Sequence, residues 1–491
     1  MHFSSTHSIR SIADLSYSQQ VTELNSESSS IDSRVPVGWK TQALDGGYGW
    51  LVVLGSFTIH VFSDGFVYSF GVIGQALVET YGYSNAEVSA IFSLISGLMY
   101  TVGPIAGVIC NKFGCRTTAI IGSVLATVGC GLAYFSTRLV HLILTVGVLV
   151  GTGFGLLYCP AIVIVTMYFE KKRSLASGIT VCGSGVGAVL FSKVIGLLLT
   201  HLEKSNTNIL FIFPIYGVFT LLCIPCALLF RPLPKVPIYD NSEEDAKTNE
   251  NAKTATTQKP NSSCWRKIVD TMGLEVLIDP LYILYTASNV FVTMGFNAAP
   301  MFLPMNARAV LKTNKDQESN TLTAYGVANT IGRIAFGILG DRKLPFRWGK
   351  DTARNRLWTF TLAMILSGIP CCFLFAIDRL WVFLVFTSFF GFVSSSFAIF
   401  TSVVLADLLG MKKFTSALGL LFLFQSVVCI IGPLIGGKLY DITHRYDWTF
   451  VFLGACFIVG GVMLPFTQLI KNREVATRIE TVKYIFEQVI I

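Results

Sequence analysis

The chain has 491 residues, of which 52% are hydrophobic and only 13% are charged, and its mean hydropathy is +0.61. A soluble domain is about 25% charged and cannot bury this much apolar surface, so the composition excludes a soluble protein. The formal net charge of +8 fits cation-rich loops beside an anionic lipid surface, and nucleic-acid binding is not predicted.

Twelve apolar segments follow one another along the chain, each long enough to cross a ~30 Å hydrocarbon core as a helix. They are apolar all round and rich in glycine, without the strict alternation of barrel strands. We therefore predict an all-α polytopic membrane protein with twelve transmembrane helices. The spans are expected at about 50–78, 88–110, 118–137, 141–167, 174–200, 208–230, 277–303, 321–340, 356–377, 380–409, 415–437 and 448–470.

A polar central segment divides these spans into two sets of six. Lysine and arginine are concentrated in the loops after the even-numbered spans, which predicts that these loops and both termini lie in the cytoplasm. The predicted domains, in chain order, are a disordered tail (1–44), an N-terminal six-helix bundle (45–230), a central loop (231–276), a C-terminal six-helix bundle (277–470) and a C-terminal tail (471–491).

The two halves carry corresponding loops after their second helices. The loop after span 2 reads GVICNKFGCR (107–116), and the loop after span 8 reads GILGDRK (337–343). Each has a glycine, then a polar or acidic residue, then a cation, as expected of a parallel repeat about an axis along the membrane normal. The pattern resembles the loop between helices 2 and 3 of the major facilitator superfamily, and the resemblance implies that fold.

Two longer strings resemble the monocarboxylate transporter family: DGGYGW (45–50) and YFEKKRSLASGITVCGSGVG (168–187). The resemblance continues through ADLLGMKKFTSALGL (406–420) and covers about residues 45–470. It implies a plasma-membrane transporter, and not an enzyme. Such a protein carries monocarboxylates or related organic acids by alternating access. The transport is either facilitative or secondary-active, and symport is one form of the latter.

An arginine lies inside span 8. Arg333 precedes Asp341 by eight residues, about 12 Å of helix, which places it near the centre of the bilayer. A charge at that depth costs about 2.5–3.5 kcal/mol, and a guanidinium matches a carboxylate with two parallel hydrogen bonds. The matching arginine of the resembled family binds the substrate carboxylate, so we predict that role for Arg333; an interhelical ion pair is the alternative.

The surroundings of Arg333 differ from those of the lactate carriers in that family. Asn329 stands where they have an aspartate, Tyr68 where they have a lysine in helix 1, and Ser394 where they have a phenylalanine in helix 10. Asparagine cannot take up a proton, and serine leaves room for a larger substrate. The alternative function is therefore a proton-independent facilitative carrier of a larger or zwitterionic substrate of the creatine, carnitine or aromatic amino acid type.

Asp64 lies one helical turn before Tyr68 in span 1. We expect it to line the same site, where it could balance Arg333, bind the amino group of a zwitterion or carry a proton; exposure at the outer water boundary is the alternative. His60, one turn earlier, is predicted to be a hydrogen-bonded packing residue rather than a proton relay.

Charged residues at the cytoplasmic helix ends are predicted to act in gating or conformational change. They are Asp45, Lys171, Lys172, Arg173, Asp341, Arg342 and Asp407. For the three cations at 171–173, an equal alternative is that they only anchor the cytoplasmic end of the helix at the membrane surface. Cysteine and histidine spacing suggests no metal site, and no cofactor is predicted. The expected partners are a small organic acid and the lipid bilayer, with a proton and a single-span ancillary membrane protein as further candidates.

Overall fold

The computed structural model describes residues 38–205, 207–238, 273–312, 315–344 and 351–490. Within these ranges a helix coincides with each of the twelve predicted spans. Nine segments of the described chain are both long enough and apolar enough to cross a membrane. The helices at the predicted spans 2, 7 and 9 do not meet both conditions. Most of the predicted N-terminal tail and of the central loop lies outside the described residues.

The first half begins with α1 (Tyr48–Tyr81), α2 (Asn85–Thr101) and α3 (Gly103–Ala133). Helix α3 bends at Gly114, whose φ of 85° and ψ of 159° are not helical, so spans 2 and 3 meet there. Span 4 comprises α4 (Leu139–Leu142), a π-helix (Ile143–Val150) and α5 (Gly151–Tyr168). Span 5 is α6 (Arg173–Lys204), and span 6 comprises a 3-10 turn (Ile209–Phe211), α7 (Ile212–Leu221) and α8 (Cys223–Leu228).

The second half repeats this plan after a 3-10 turn (Leu274–Ile278). Its helices are α9 (Pro280–Leu311), α10 (Lys315–Asp341), α11 (Thr352–Cys372) with a 3-10 turn (Leu374–Ala376), α12 (Leu380–Ser394), α13 (Ser396–Leu409), α14 (Met411–Thr443) and α15 (Asp447–Ile490). Helices α12 and α13 together form span 10.

A short antiparallel ribbon joins the chain before α1 to the chain after α8. Strand β1 (Gly38–Thr41) pairs with β2 (Lys235–Ile238), so that Gly38 lies opposite Ile238. The ribbon falls within the segments expected to be a tail and a central loop, and the sequence pattern did not predict it.

Helices α1 and α6 pack along each other in the first half. Gly183 and Gly187 of α6 face the main-chain carbonyls of Phe57 and Val61 on α1, and a Cβ atom at either glycine would overlap the facing carbonyl. Only glycine therefore permits this approach, which positions the inward face of α1 against α6.

The two halves meet along two seams, one between α6 and α10 and the other between α14 and helices α2 and α3. At the second seam, Gly103 of α3 lies against the carbonyl of Gly419 on α14. Both seams reach the end of the bundle that carries the Lys- and Arg-rich loops 112–116, 171–173 and 412–413. We call this the basic end.

Candidate functional site

A narrow cavity lies between the two halves, with a volume of about 50 Å³. Eight helices contribute to it: α1, α2, α5 and α6 from the first half, and α9, α10, α13 and α14 from the second. The polar and aromatic residues among its lining are His60, Asp64, Tyr68, Tyr100, Tyr158, Ser184, Phe296, Arg333, Phe397, Thr401, Ser402, Phe422 and Gln425. A polar cavity inside an apolar bundle is expected to bind a polar ligand.

Arg333 extends from α10 across the seam towards α6. Its Nη1 donates hydrogen bonds to the carbonyl of Val181 and to the hydroxyl of Ser184, and the residue is only 6% exposed. Its Nε has no hydrogen-bond partner among the described residues. The guanidinium therefore contacts the opposite half and keeps an uncommitted donor.

Asp64, His60 and Tyr68 lie on the inward face of α1. Asp64 and His60 are 8% and 1% exposed, whereas Tyr68, farther from the basic end, is 56% exposed. His60 Nδ1 lies 2.8 Å from the carbonyl oxygen of Ser56. Because a carbonyl can only accept, Nδ1 carries a proton and donates it. Three of the predicted substrate-binding residues, Arg333, Asp64 and Tyr68, thus line one cavity.

Asn329 and Ser394 lie outside the cavity lining in this structure. The amide nitrogen of Asn329 donates to the carbonyl of Gly391 on α12 at 3.0 Å, and the hydroxyl of Ser394 donates to the same carbonyl at 3.4 Å. Both residues are buried. They belong to the packing between α10 and α12.

Three aromatic rings form a cluster at the cavity wall, which we call the ring cluster: Tyr100 of α2, Tyr158 of α5 and Phe422 of α14. Their centroids are 5.5–5.8 Å apart, and the ring of His60 lies 5.1 Å from that of Tyr158. The sequence analysis missed this cluster, because aromatic residues make up 13% of the chain and carry no signal individually.

A charged network joins the halves at the basic end. Arg173 of α6 donates to Asp407 of α13 at 2.7 Å, and Arg356 of α11 donates to the same carboxylate at 3.0 and 3.2 Å. Arg356 also contacts Asp341 at 2.6 Å. These side chains are 3–11% exposed, so the network is largely shielded from water.

Asp341 caps a helix of the opposite half. Its two carboxylate oxygens accept the backbone N–H groups of Ser174 and Leu175, in the first turn of α6, at 3.0 and 2.8 Å. A carboxylate there satisfies donors that the helix leaves free and matches the positive end of its dipole. The neighbouring Arg342 contributes its carbonyl, which accepts the amide of Asn355.

Asp45, Lys171 and Lys172 form a contact within the first half only. One carboxylate oxygen of Asp45 accepts the backbone N–H groups of Glu170, Lys171 and Lys172 at 2.7–3.2 Å. The two lysine side chains are exposed. Asp45 thus fastens the start of α1 to the loop before α6, while Arg173, Asp341 and Asp407 bridge the halves.

Arg356 is the network residue that the sequence analysis did not single out. A cation at the start of a span looks like a simple interfacial anchor, and only the tertiary structure shows that two aspartates share it. The charged network links the two halves, and the helices are in contact along both seams. The cavity is therefore closed towards the basic end.

The family model of the major facilitator superfamily matches residues 56–350 and 285–483. The chain belongs to the major facilitator superfamily. Monocarboxylate transporter 12 of Xenopus laevis is 27% identical over 434 residues, which cover 87% of this chain and 90% of that protein. Monocarboxylate transporter 4 of Gallus gallus is 29% identical over 413 residues, covering 84% and 81%. The predicted monocarboxylate transporter family is thereby confirmed.

Solved structures of this superfamily share the fold. The Escherichia coli fucose:proton symporter superimposes with a TM-score of 0.59 at 16% identity and covers 86% of this chain and 98% of its own. The human organic anion transporter TETRAN gives 0.58 at 14% identity, with 85% and 98% covered. This superfamily member is a multi-pass membrane transporter, and not an enzyme, of a family that handles small organic substrates.

Proposed function

We propose that this superfamily member carries an organic acid across the plasma membrane by alternating access, and that Arg333 binds the substrate carboxylate. The observation that carries the proposal is the position of Arg333: a permanent cation that lines a central cavity and has no carboxylate partner within 4.0 Å in the described chain. Its present partners on α6 are a neutral carbonyl and a neutral hydroxyl.

Two uncommitted donors support an anionic ligand. Arg333 Nε and Gln425 Nε2 are both buried, and neither has a partner in the part of the chain that is described. A buried donor without a partner is costly, and a carboxylate in the cavity can accept from such groups.

Alternating access is supported by the contacts that close one end. The network of Arg173, Arg356, Asp341 and Asp407 joins the halves at the basic end, while exposed Tyr68 lies towards the other end. We place the basic end and both termini in the cytoplasm, with residues 45–230 and 277–470 as the two moving bundles.

Proton coupling, if present, requires a group other than Asn329, whose amide is bonded to α12. Asp64 is the titratable carboxyl that lines the cavity, so it is the candidate proton carrier. A single-span ancillary protein stays a candidate partner on the strength of the family resemblance alone.

Uptake by Arg333 variants tests the function. Arg333→Ala and Arg333→Lys should both reach the cell surface yet take up labelled monocarboxylates poorly, since lysine keeps the charge but loses the two-pronged geometry. Truncating one partner of a buried charged pair costs about 2–5 kcal/mol, or roughly 30- to several-thousand-fold in affinity. Exposed Arg138→Lys is the matched control. Normal uptake by surface-localised Arg333→Ala would contradict the carboxylate role.

A further inference from the structure

Two opposite charges line the central cavity without pairing with each other. Asp64 and Arg333 both contribute to its wall, yet no ion pair within 4.0 Å joins them among the described residues. Arg333 is turned towards the Val181 carbonyl and Ser184 of α6. A buried carboxylate that lacks a cation is costly unless a ligand supplies one.

His60 adds a hydrogen-bond acceptor one turn away from Asp64. Its Nδ1 donates to the Ser56 carbonyl at 2.8 Å, which fixes the tautomer of the neutral ring and leaves a lone pair on Nε2. His60 is 1% exposed, and its Nε2 has no partner among the described residues. The residue lines the cavity, and no described residue uses this acceptor.

The ring cluster supplies a third element that favours a cation. Tyr100, Tyr158 and Phe422 line the same cavity, and Tyr158 lies beside the ring of His60. Aromatic rings attract cations through their negative faces. Residues that carry a carboxylate, a lone pair and three aromatic rings therefore line the same cavity.

We propose that Asp64, His60 and the ring cluster form a second subsite that binds an N–H-bearing cation, so that the preferred substrate is an organic acid carrying a protonated amino or guanidino group. The inference rests on the proposed function, in which Arg333 binds the carboxylate of the same molecule. The free acceptor of His60 selects a cation that can donate hydrogen bonds, which a trimethylammonium group cannot do.

A binding panel on the purified wild-type protein gives the first test. Acetate, propionate and butyrate are each compared with their terminal amino, guanidino and trimethylammonium derivatives, because the three chain lengths sample the separation between the subsites. At one length or more, the amino or guanidino acid should bind at least about tenfold more tightly than its parent acid and its trimethylammonium analogue. Equal binding at all three lengths would overturn the proposal without requiring any variant.

Two variants then assign the preference to its residues. Asp64→Asn should reduce the ratio of amino-acid to parent-acid affinity to about one, and His60→Phe, which keeps a ring beside Tyr158, should lower it severalfold. Glu79→Gln is the matched control, because it removes a carboxylate from the exposed, far end of the same helix. The control should keep the wild-type ratio.

The outcomes separate this inference from the proposed function. If Asp64→Asn leaves the ratio of amino-acid to parent-acid affinity unchanged, the cation subsite is overturned and Asp64 is a structural residue. If the variant also loses pH-dependent uptake while the ratio is preserved, Asp64 is a proton carrier instead. The proposed function would still hold in either case if the binding of the parent acids depends on Arg333. If no carboxylate binds the wild type at any length, both proposals fail.

Discussion

Replacing Arg173 with glutamine should loosen the contact between the halves at the basic end. Arg173 donates to Asp407 at 2.7 Å across the interface, and the two side chains are 8% and 10% exposed. Asp407 keeps two hydrogen bonds from Arg356 in the variant, so no buried carboxylate is left alone. The cost is therefore that of one charge-assisted hydrogen bond, about 1.5–3 kcal/mol.

That free energy acts on the balance between the closed and open conformations of the basic end. At about 1.4 kcal/mol per factor of ten, the open-to-closed ratio should rise roughly 10- to 150-fold. The effect should exceed that of an exposed surface ion pair, because these side chains are shielded from water and from salt.

Thiol labelling at a buried position on the α6 seam measures this ratio. Ser177 of α6 is 4% exposed, and the adjacent Gly178 lies against the backbone of Arg333 on α10. In a Ser177→Cys reporter the labelling rate of the purified protein follows the open fraction. Arg173→Gln should raise the rate by the factor given above, after subtraction of the labelling of the parent protein without the reporter.

The neighbouring lysine provides the control. Lys172 contributes only its backbone N–H to Asp45, and its side chain is exposed, so Lys172→Gln should leave the labelling rate within about twofold. An unchanged rate in Arg173→Gln, or an equal rise in Lys172→Gln, would show that the ion pair does not hold the basic end closed.

Three further changes test separate parts of the structure. Asn329→Asp places an acid one turn before Arg333, and uptake should become more sensitive to external pH than wild-type uptake; identical pH profiles would mean that the position is not coupled to the site. Ser394→Phe inserts a ring at a fully buried position beside Gly391, so the thermal midpoint should fall by an amount corresponding to about 1–3 kcal/mol. A selective loss of bulky substrates at an unchanged midpoint would place Ser394 on the substrate path instead. Gly183→Leu should separate α1 from α6 and abolish the folded monomer peak in size-exclusion chromatography. Gly196→Leu should retain the peak, because a Cβ added at Gly196 meets no atom within 4 Å.

The helices were predictable because their signal is local. Length and apolarity within each segment set the spans, and a helix coincides with each of them. The β1–β2 ribbon was not predictable, since it pairs residues 38–41 with residues 235–238, and neither strand carries a pattern that identifies its partner. The bend at Gly114 falls between predicted spans 2 and 3, and the sequence alone does not show that one continuous segment carries both.

The site was predictable where a charge had to be explained. Arg333 and Asp64 stand out in apolar helices, and both line the cavity. Asn329 and Ser394 were selected by alignment to a family, which identifies a position but does not show which helix face points inward; both contact the Gly391 carbonyl. Arg356 and the ring cluster derive their importance from partners distant in sequence, so no local pattern marks them.

The proposed binding group and the proposed gate lie on the same pair of helices. Arg333 and Asp341 are eight residues apart on α10, about 12 Å, and both bind α6: Arg333 at Val181 and Ser184, Asp341 at the first turn. A carboxylate that draws the Arg333 guanidinium away from α6 removes two hydrogen bonds from this seam. The hydrogen bonds of Asp341 to the first turn of α6 remain. Substrate binding at Arg333 would therefore weaken the same α6–α10 seam that separates when the basic end opens. A ligand shifts a conformational equilibrium only by its differential affinity for the two states. In the proposed function, Arg333 exchanges a contact with α6 for a contact with substrate, and this exchange would be the source of that difference.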